Sequence, residues 1–513
     1  MTSVNQSRMD ATMRHTERHA ERHAERHAER QANAFLRARS TEAPGARRVF
    51  TRDEAIALAD TVLKLSSQPL NAMHIEHRIL TIVRITRNNT VACVESDQLR
   101  LGFPLRIGSD IAMNVDTNVR DIEALRRVVR HAEMRATPPL RPEDQEVLID
   151  PTDPPKPRKY LPVSLWHENT QRAMAVMNGD AIARIMKPMQ GQSLSCAATV
   201  VLMTRATLHR YVTGTTAWGE DTDSEITVSA RALDGKASGW AGEAHRDWAL
   251  MHPERIVTDA IDMANRNRGA VRVEPGRYTT ILGPSAVGAL VAKMGELFNG
   301  NAYGPFSLAE KTDGHVTKLG QRVFDPRITM LTDPSDPEGG EFPFFEDGFP
   351  SGKATWVEHG ILRQLGYYPS QALAAGKVPL KPPQAIRIMG GSSSIPDMIA
   401  KCERGIYVNR LSGVEMIDQR SGAMSGTTRD GCFLIKNGKI ATPVTNFRFY
   451  QSPFLSFNRL IDLGESERVA FGFSPPDPQY GPRDPWEHWP QAPIIVPPMM
   501  VEDFNFTALT DAV

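Results

Sequence analysis

Residues 416–450, MIDQRSGAMSGTTRDGCFLIKNGKIATPVTNFRFY, constrain the fold more than any other stretch of the chain. Residues 432–435 are a short apolar strand, 436–439 a turn, and 440–444 the return strand. Asn437 and Gly438 occupy the two central turn positions, and both tolerate the positive φ that a type I′ hairpin turn demands. Pro443 has no N–H to give to a sheet ladder, so the return strand is expected at an edge or beside a bulge. Residues 427–431, Thr-Thr-Arg-Asp-Gly, crowd small, polar and charged groups just before the hairpin. After it, Asn446-Phe447-Arg448-Phe449 alternates polar and aromatic residues, the period of a half-buried strand.

A chain of 513 residues is too long for one simple core and implies two or three domains. Lys+Arg and Asp+Glu are equal at 60 each, so no net positive charge argues for nucleic acid as a partner. No apolar run approaches the roughly 20 residues of a membrane helix, so no membrane partner is expected. The N-terminus has no apolar signal region, and the expected location is the cytoplasm. Cys93, Cys196, Cys402 and Cys432 form no Cys-x-x-Cys pair and are expected to be unpaired, mostly buried thiols.

Residues 14–30, RHTERHAERHAERHAER, repeat with a period of four. On a helix His15, His19, His23 and His27 form one slowly drifting stripe, and Arg and Glu pair at i, i+3. Histidines at i, i+4 can capture a divalent metal. A solvated, fraying helical tail is the other reading, because the stripe holds almost nothing apolar. Residues 1–48 therefore read as tail and linker, and removing residues 1–46 is expected to leave folding intact.

Residues 49–136 read as an N-terminal α/β domain. Thr51-Arg52-Asp53-Glu54 opens a helix with the pattern of a capping box. A strand at 78–85, a turn at Arg87-Asn88-Asn89 and strands near 101–103 and 111–115 follow. A helix over 121–136 places Ile122, Leu125, Val128 and Val129 on one face. Residues 137–162, rich in proline and charge, read as a semi-rigid linker. Residues 163–274 form a central α/β region with helices over 169–186 and 254–267. Its strands are expected at 198–204, 208–213 and 225–231, with a loop at Trp240-Ala241-Gly242.

Residues 275–513 read as a β-rich C-terminal domain. A strand ends at Gly283 and a helix starts with Pro284 at its first position, where the missing N–H costs nothing. Val287, Leu290, Val291, Met294, Leu297 and Phe298 fall on one apolar stripe, whose burial contributes on the order of 10 kcal/mol before entropy. The fold class is α+β, with a barrel-like C-terminal domain and a packed amphipathic helix.

The run from Gly426 to Phe449, GTTRDGCFLIKNGKI-x-x-PV-x-NFRF, closely resembles the C-terminal signature of the TldD/PmbA family of peptidase-related proteins. PGRYTTILGP at 275–284, GQRVFDPR at 320–327, FEDGFP at 345–350, the hairpin TWVEHGIL at 355–362 and the closing strand at 494–506 are similar to further family blocks. The helix–strands–helix order of residues 49–136 resembles the family's N-terminal domain, so the similarity runs from about Val49 to Phe506.

This resemblance implies two kinds of subunit. One carries His-Glu-x-x-x-His on the helix after the Gly-Pro and a cysteine in a Gly-rich segment near the C-terminus, a set suited to zinc and an activated water. The other lacks these ligands and pairs with the first. Here the motif positions are Ala292, Lys293 and Leu297, and no cysteine follows Cys432. The chain thus resembles the PmbA-type (TldE) subunit, with no catalytic residue and no cofactor of its own, and with zinc in its catalytic partner. The implied function is the metal-free partner of a TldD-type zinc metallopeptidase that degrades unfolded peptides or matures modified ones.

Thr428, Arg429, Asp430, Asn446 and Arg448 are the candidate peptide-binding residues. Arg429 and Asp430 can equally brace the hairpin as an ion pair. Two other readings stand beside the partner subunit. One is a metallopeptidase with an atypical centre, for which Glu243, His245 and His252 in GEAHRDWALMH come nearest to ligand spacing. The other is a stand-alone peptide-binding protein. The sequence holds no Gly-x-Ser-x-Gly elbow and no P-loop; Gly390-Gly391-Ser392-Ser393-Ser394 lacks the following lysine and reads as a flexible loop.

Overall fold

The computed structural model describes residues 29–30, 32–34, 36–37, 47–66, 72–103, 113–117, 119, 121–135, 159–177, 179–211, 214–300, 308, 318–345, 348–369, 372, 376–472 and 492–510. The readings made for the histidine repeat up to residue 28 and for the linker at 137–158 lie outside the described residues.

β1 (Ala72–Thr86), β2 (Asn89–Phe103), β3 (Met113–Thr117), β4 (Leu194–Tyr211), β5 (Thr216–Ala232) and β6 (Ser238–His245) form one sheet in the order β3-β2-β1-β4-β5-β6, with every pairing antiparallel. Arg87 and Asn88, at φ 50° and 61°, turn β1 into β2 at the expected place. The Asn88 side chain then stitches this turn to β4, accepting from Cys196 N at 2.7 Å and donating to Leu194 O at 3.1 Å. β1 pairs with β4 from Ala72↔Tyr211 to Ile85↔Ala198. Residues 49–136 and 163–274 therefore share one sheet and one hydrophobic core.

The Arg52–Leu65 helix opens with the expected capping box: Glu54 N donates to Thr51 Oγ1 and Thr51 N to Glu54 Oε2 at 2.8 Å. The Pro253–Arg266 helix buries Ile256, Val257, Ala260, Ile261 and Ala264 against β5 and β6. Four local expectations are corrected. The helix over 169–186 is two helices, Glu168–Val176 and Gly179–Met186. The strands at 198–204 and 208–213 are one strand, because Arg205 at the anticipated break is held by Asp221 of β5 through Nε–Oδ1 at 3.0 Å and Nη2–Oδ2 at 2.8 Å. Trp240-Ala241-Gly242 is not a loop but part of β6, paired to Ser229, Val228 and Thr227. Part of the stretch read as linker is docked: Ala32 and Leu36 are fully buried, Ile122 N donates to Asn33 Oδ1 at 3.2 Å, and Arg126 reaches Glu29 at 2.6 Å.

The C-terminal half contributes β7 (Gly276–Leu282), β8 (Met330–Thr332), β9 (Ala354–Glu358), β10 (Ile361–Leu362), β11 (Ile386–Ile388), β12 (Arg404–Asp418), β13 (Ala423–Lys436), β14 (Lys439–Pro443), β15 (Phe447–Gln451), β16 (Leu460–Leu463), β17 (Glu467–Arg468), β18 (Ile494–Val496) and β19 (Met499–Leu509). β12-β7-β19-β15-β13 closes on itself through β12–β13, giving a five-stranded barrel. A second sheet runs β10-β9-β8-β11-β18-β17. With the helices on the first sheet, this is an α+β protein with a barrel in its C-terminal half.

The barrel follows from the hairpin that organises its sequence. Asn437 and Gly438 sit at φ 50° and 71°, and Lys436 pairs with Lys439 across the turn. Gly438 also has to be small, since a Cβ there meets Ala400 O at 2.7 Å. β14 ends at Pro443 on the edge of its sheet, with a register shift at Leu434/Ile435. Phe447 and Phe449 are fully buried while Arg448 and Tyr450 are exposed, so the alternation reports a strand with one face inward. Phe447, Phe504 and Phe506 pack in the barrel core, with Phe447–Phe506 centroids 4.7 Å apart.

All six stripe residues from Val287 to Phe298 are buried in the same core. The helix is shorter than the stripe: it runs Pro284–Val291, and Gly295–Phe298 is a separate 3-10 turn. The Gly/Ser segment at 390–394 is a built connection. Gly391 N donates to Gly464 O at 2.7 Å, and Ser394 caps the Ile395–Lys401 helix in a capping box with Asp397. No helix among the described residues is long and apolar enough to cross a membrane.

Candidate functional site

The helix that follows β7 is the place to look for a metal. Its last α-helical bond is Ala292 N to Gly288 O at 2.9 Å; Lys293 N then donates to Leu290 O at 3.1 Å and Met294 N to Val291 O at 2.9 Å, both i to i−3. Ala292 and Lys293 are exposed, whereas Leu297 is 1% exposed and belongs to the apolar core. Lys293 Nζ lies 3.3 Å from Glu415 of β12. A zinc ion here meets a methyl group, an ammonium engaged with a carboxylate and an isobutyl group turned into the core. These residues do not fit the metal. Among the described residues, no group of three or more His, Cys, Asp or Glu can hold a metal ion.

The other metal reading fares no better. Glu243 and His245 lie on β6, while His252 precedes the Pro253–Arg266 helix, so the three do not share a helical face. The Glu243 carboxylate accepts from His252 N at 2.6 Å, faces His252 Nδ1 at 3.1 Å and pairs with Arg255. It serves as the anion at a helix N-terminus. His245 Nδ1 turns to Glu338 at 3.5 Å instead. Cys432 is buried, and burial pushes its thiol up to about 12, so no thiolate is available there.

The five candidate peptide-binding residues fall in three settings. Thr428 is fully buried; its hydroxyl accepts from Phe447 N at 2.9 Å and bonds Asn446 Oδ1 at 3.2 Å, tying β13 to β15. Asp430 sits in a bulge where β12 and β13 slip register between Val408 and Arg410, and its backbone is left-handed at φ 56°. It is 2% exposed, with Arg410 Nη1 at 3.4 Å and Arg429 Nε at 3.9 Å from the same carboxylate oxygen. Arg448 lies on the exposed face of β15. Asn446 also lines a cavity of about 450 Å³ with Lys236, Asn267 and Thr510.

A buried polar network on β5 went unnoticed in the sequence. Asp221, Asp223 and Glu225 alternate along one face of the strand. Asp221 takes Arg205 and also Arg246 Nη1 at 3.3 Å, while Arg246 donates to Gly340 O. Asp223 takes Arg468 of β17 at 2.6 and 2.8 Å, and Glu225 accepts from Phe471 N at 3.1 Å and Gly472 N at 3.0 Å. The network fastens the first sheet to the C-terminal half. Burial pushes the Glu225 carboxyl up to about 7 against the two backbone donors. Glu338 goes the other way, to about 2: burial opposes the shift, and the His245 hydrogen bond and Arg468 charge prevail. The period-2 run of acids in Asp221-Thr222-Asp223-Ser224-Glu225 was the available signal.

Residues 275–508 match the family model described as PmbA/TldA metallopeptidase C-terminal domain. The chain is 25% identical over 228 residues to a "Metalloprotease TldD homolog" of Buchnera aphidicola, covering 42% of this chain and 46% of that protein. It is 29% identical over 167 residues to a "Metalloprotease" of Archaeoglobus fulgidus, covering 30% and 39%. The matches thus span less than half the length of these curated relatives. Among solved structures, TldE from Thermococcus kodakarensis superposes with a TM-score of 0.68 at 16% identity, covering 87% of this chain and 98% of that one. That likeness is one of fold.

Proposed function

Because this chain belongs to the TldD/PmbA family, we propose that it is the metal-free partner subunit of a TldD-type zinc metallopeptidase. The observation that carries the reading is Leu297, buried in the core at the position of the second motif histidine, beside an exposed Ala292 and an ion-paired Lys293. The zinc and the hydrolytic step belong in this reading to the partner. This chain completes the chamber and holds an unfolded or modified peptide in extended form, through backbone hydrogen bonds that need no particular sequence. Arg429, exposed Arg448 and the cavity-lining Asn446 are the residues proposed to shape that surface, with buried Thr428 and Asp430 bracing the strands beneath it. Cys196, Cys402 and Cys432 are buried free thiols and Cys93 an exposed one, which supports a reducing, cytoplasmic setting.

The test is co-expression with a TldD-type protein and an assay of cleavage of an unstructured peptide by each chain and by the mixture. Hydrolysis is expected only in the mixture, and is lost when the partner's motif glutamate becomes glutamine. Full activity from this chain alone overturns the reading in favour of an atypical peptidase.

A further inference from the structure

A cavity of about 230 Å³ opens where the polar face of the first sheet meets residues 340–345, and no role given above uses it. Its floor is the β1–β4 pair, with His74 opposite His209 and Glu76 opposite Thr207. The two imidazoles meet at 3.1 Å, His74 Nδ1 to His209 Nε2. Phe344 stands edge-on to His209 with centroids 5.5 Å apart, and stacks on Phe342 at 5.4 Å. His209 is 4% exposed; burial, then its neighbour His74, hold it well below the usual histidine range, so it is neutral at pH 7.

The charges around this cavity are unevenly matched. Asp221 is taken by Arg205 and Arg246, Asp223 by Arg468, and Glu341 has Lys381 at 3.7 Å. Glu76 makes no direct hydrogen bond or ion pair among the described residues; the Arg205 charge acts on it at longer range, and Arg100 stands opposite it on β2. Thr207, 4% exposed, lines the same cavity, and its hydroxyl has no partner among the described residues either. A buried hydroxyl without a partner is costly unless a ligand meets it, and the half-buried Glu76 carboxylate beside it keeps its direct hydrogen-bonding sites open.

We propose that this cavity binds a primary ammonium flanked by an apolar group, and that its ligand is the N-terminus of a peptide. Two of the N–H bonds of an ammonium match the Glu76 carboxylate and the Thr207 hydroxyl, and the neutral His209 adds no positive charge beside them. Phe342 is already covered by the Arg205 guanidinium, 4.7 Å from its centroid, so the Phe344 ring is left to accept the ammonium's apolar neighbour. Arg205, Arg246 and Lys381 also line the cavity but are engaged by Asp221 and Glu341, so Glu76 is the charge left to face a ligand and disfavours an anion. A divalent metal lacks a third ligand within reach of the two imidazoles among the described residues. The choice of a peptide as the source of the amine rests on the peptide-handling reading above; the ammonium site does not.

The test is calorimetric titration of the full chain with leucinamide, N-acetyl-leucinamide, n-butylamine and zinc. Leucinamide is expected to bind, with the acetylated form and n-butylamine each about tenfold weaker or more, since charge-assisted and neighbouring contacts are lost. Glu76→Gln is expected to weaken leucinamide binding by a similar factor at an unchanged thermal midpoint. If Glu76→Gln does not fold, Thr207→Val, which removes only a hydroxyl, carries the same comparison. Equal binding of the acetylated ligand, equal binding of n-butylamine, or zinc binding without leucinamide binding overturns the assignment. The titration uses this chain without a partner, so its failure and the failure of the partner reading are separate results.

Discussion

Arg410 lies across the indole of Trp240, 4.8 Å from the ring centroid, and reaches the carboxylate of Asp430 at 3.4 Å. One guanidinium therefore spans β6 of the first sheet and the bulge in the barrel wall. Asn409 reinforces the joint, donating to both Trp240 O and Asp430 O at 3.1 Å. Asp430 accepts a left-handed backbone to reach this position.

Asp430→Asn isolates the charge, because asparagine also tolerates a left-handed φ. It leaves Arg410 and Arg429 facing each other without their anion. A loss of about 3 kcal/mol is expected in denaturant unfolding. A change below about 0.5 kcal/mol in that titration shows that the joint does not depend on the ion pair.

Leu36→Ala probes the docked segment before the first helix. Leu36 is fully buried in the core that contains Val129 and Ile79. Truncation is expected to cost about 2–4 kcal/mol by thermal or denaturant melting. An unchanged midpoint returns the segment to the status of a linker.

Glu225 sets a pH dependence whose sign follows from its upward shift to about 7. The native state holds this proton where the unfolded chain, at the ordinary glutamate value near 4.5, has lost it. Stability from this group is complete below about pH 4.5 and falls as pH rises through about 7, by on the order of 3 kcal/mol. Glu338, held at about 2, acts in the opposite sense: its contribution is present above pH 4.5 and is lost as pH falls toward 2. Glu225→Gln should flatten the fall in stability between pH 5 and 8, measured as unfolding free energy against pH; an undiminished slope refutes the assignment.

Restoring the motif should not restore the metal. In Ala292→His/Lys293→Glu/Leu297→His, the third change sets an imidazole in the apolar core on a 3-10 turn. The triple variant is expected to bind no stoichiometric zinc and to lose about 2–5 kcal/mol. Metal analysis after dialysis decides it, and one tightly held zinc per chain sinks the idea.

Gly438→Ala is expected to cost about 1–3 kcal/mol, from the left-handed φ of 71° and the contact with Ala400 O. The measurement is the unfolding midpoint. Asn437→Ala should cost less, since it meets only the first of these penalties.

Features written in local chemistry were legible in the sequence. Asn437-Gly438 and Asn88 announce turns through residues that accept positive φ, and Thr51 with Glu54 announces a helix start. The Phe447/Phe449 alternation and the Val287–Phe298 stripe report their buried faces directly. What was missed depends on partners distant in the chain. Arg205 looked like a strand break because its stabilising acid, Asp221, lies on the next strand. Trp240-Ala241-Gly242 looked like a loop because its strand exists only through pairing to β5. The halt of the helix at Val291 has no local signal, since the apolar spacing continues to Phe298. The cavity at Glu76 was equally silent, being assembled from three strands and from segments near Arg246, Gly340, Lys381 and Pro493.

The β1–β4 pairing also dictates how the molecule can come into being. It is the seam of the first sheet, yet it joins residues as far apart as Ala72 and Tyr211. A nascent chain that has finished β1 and β2 carries one long, open strand edge until β4 leaves the ribosome. Non-local pairing of this kind is slow, and an open edge is a template for the wrong neighbour. Vectorial synthesis therefore exposes this protein to misassembly during a defined interval, which closes only when β4 seals the seam.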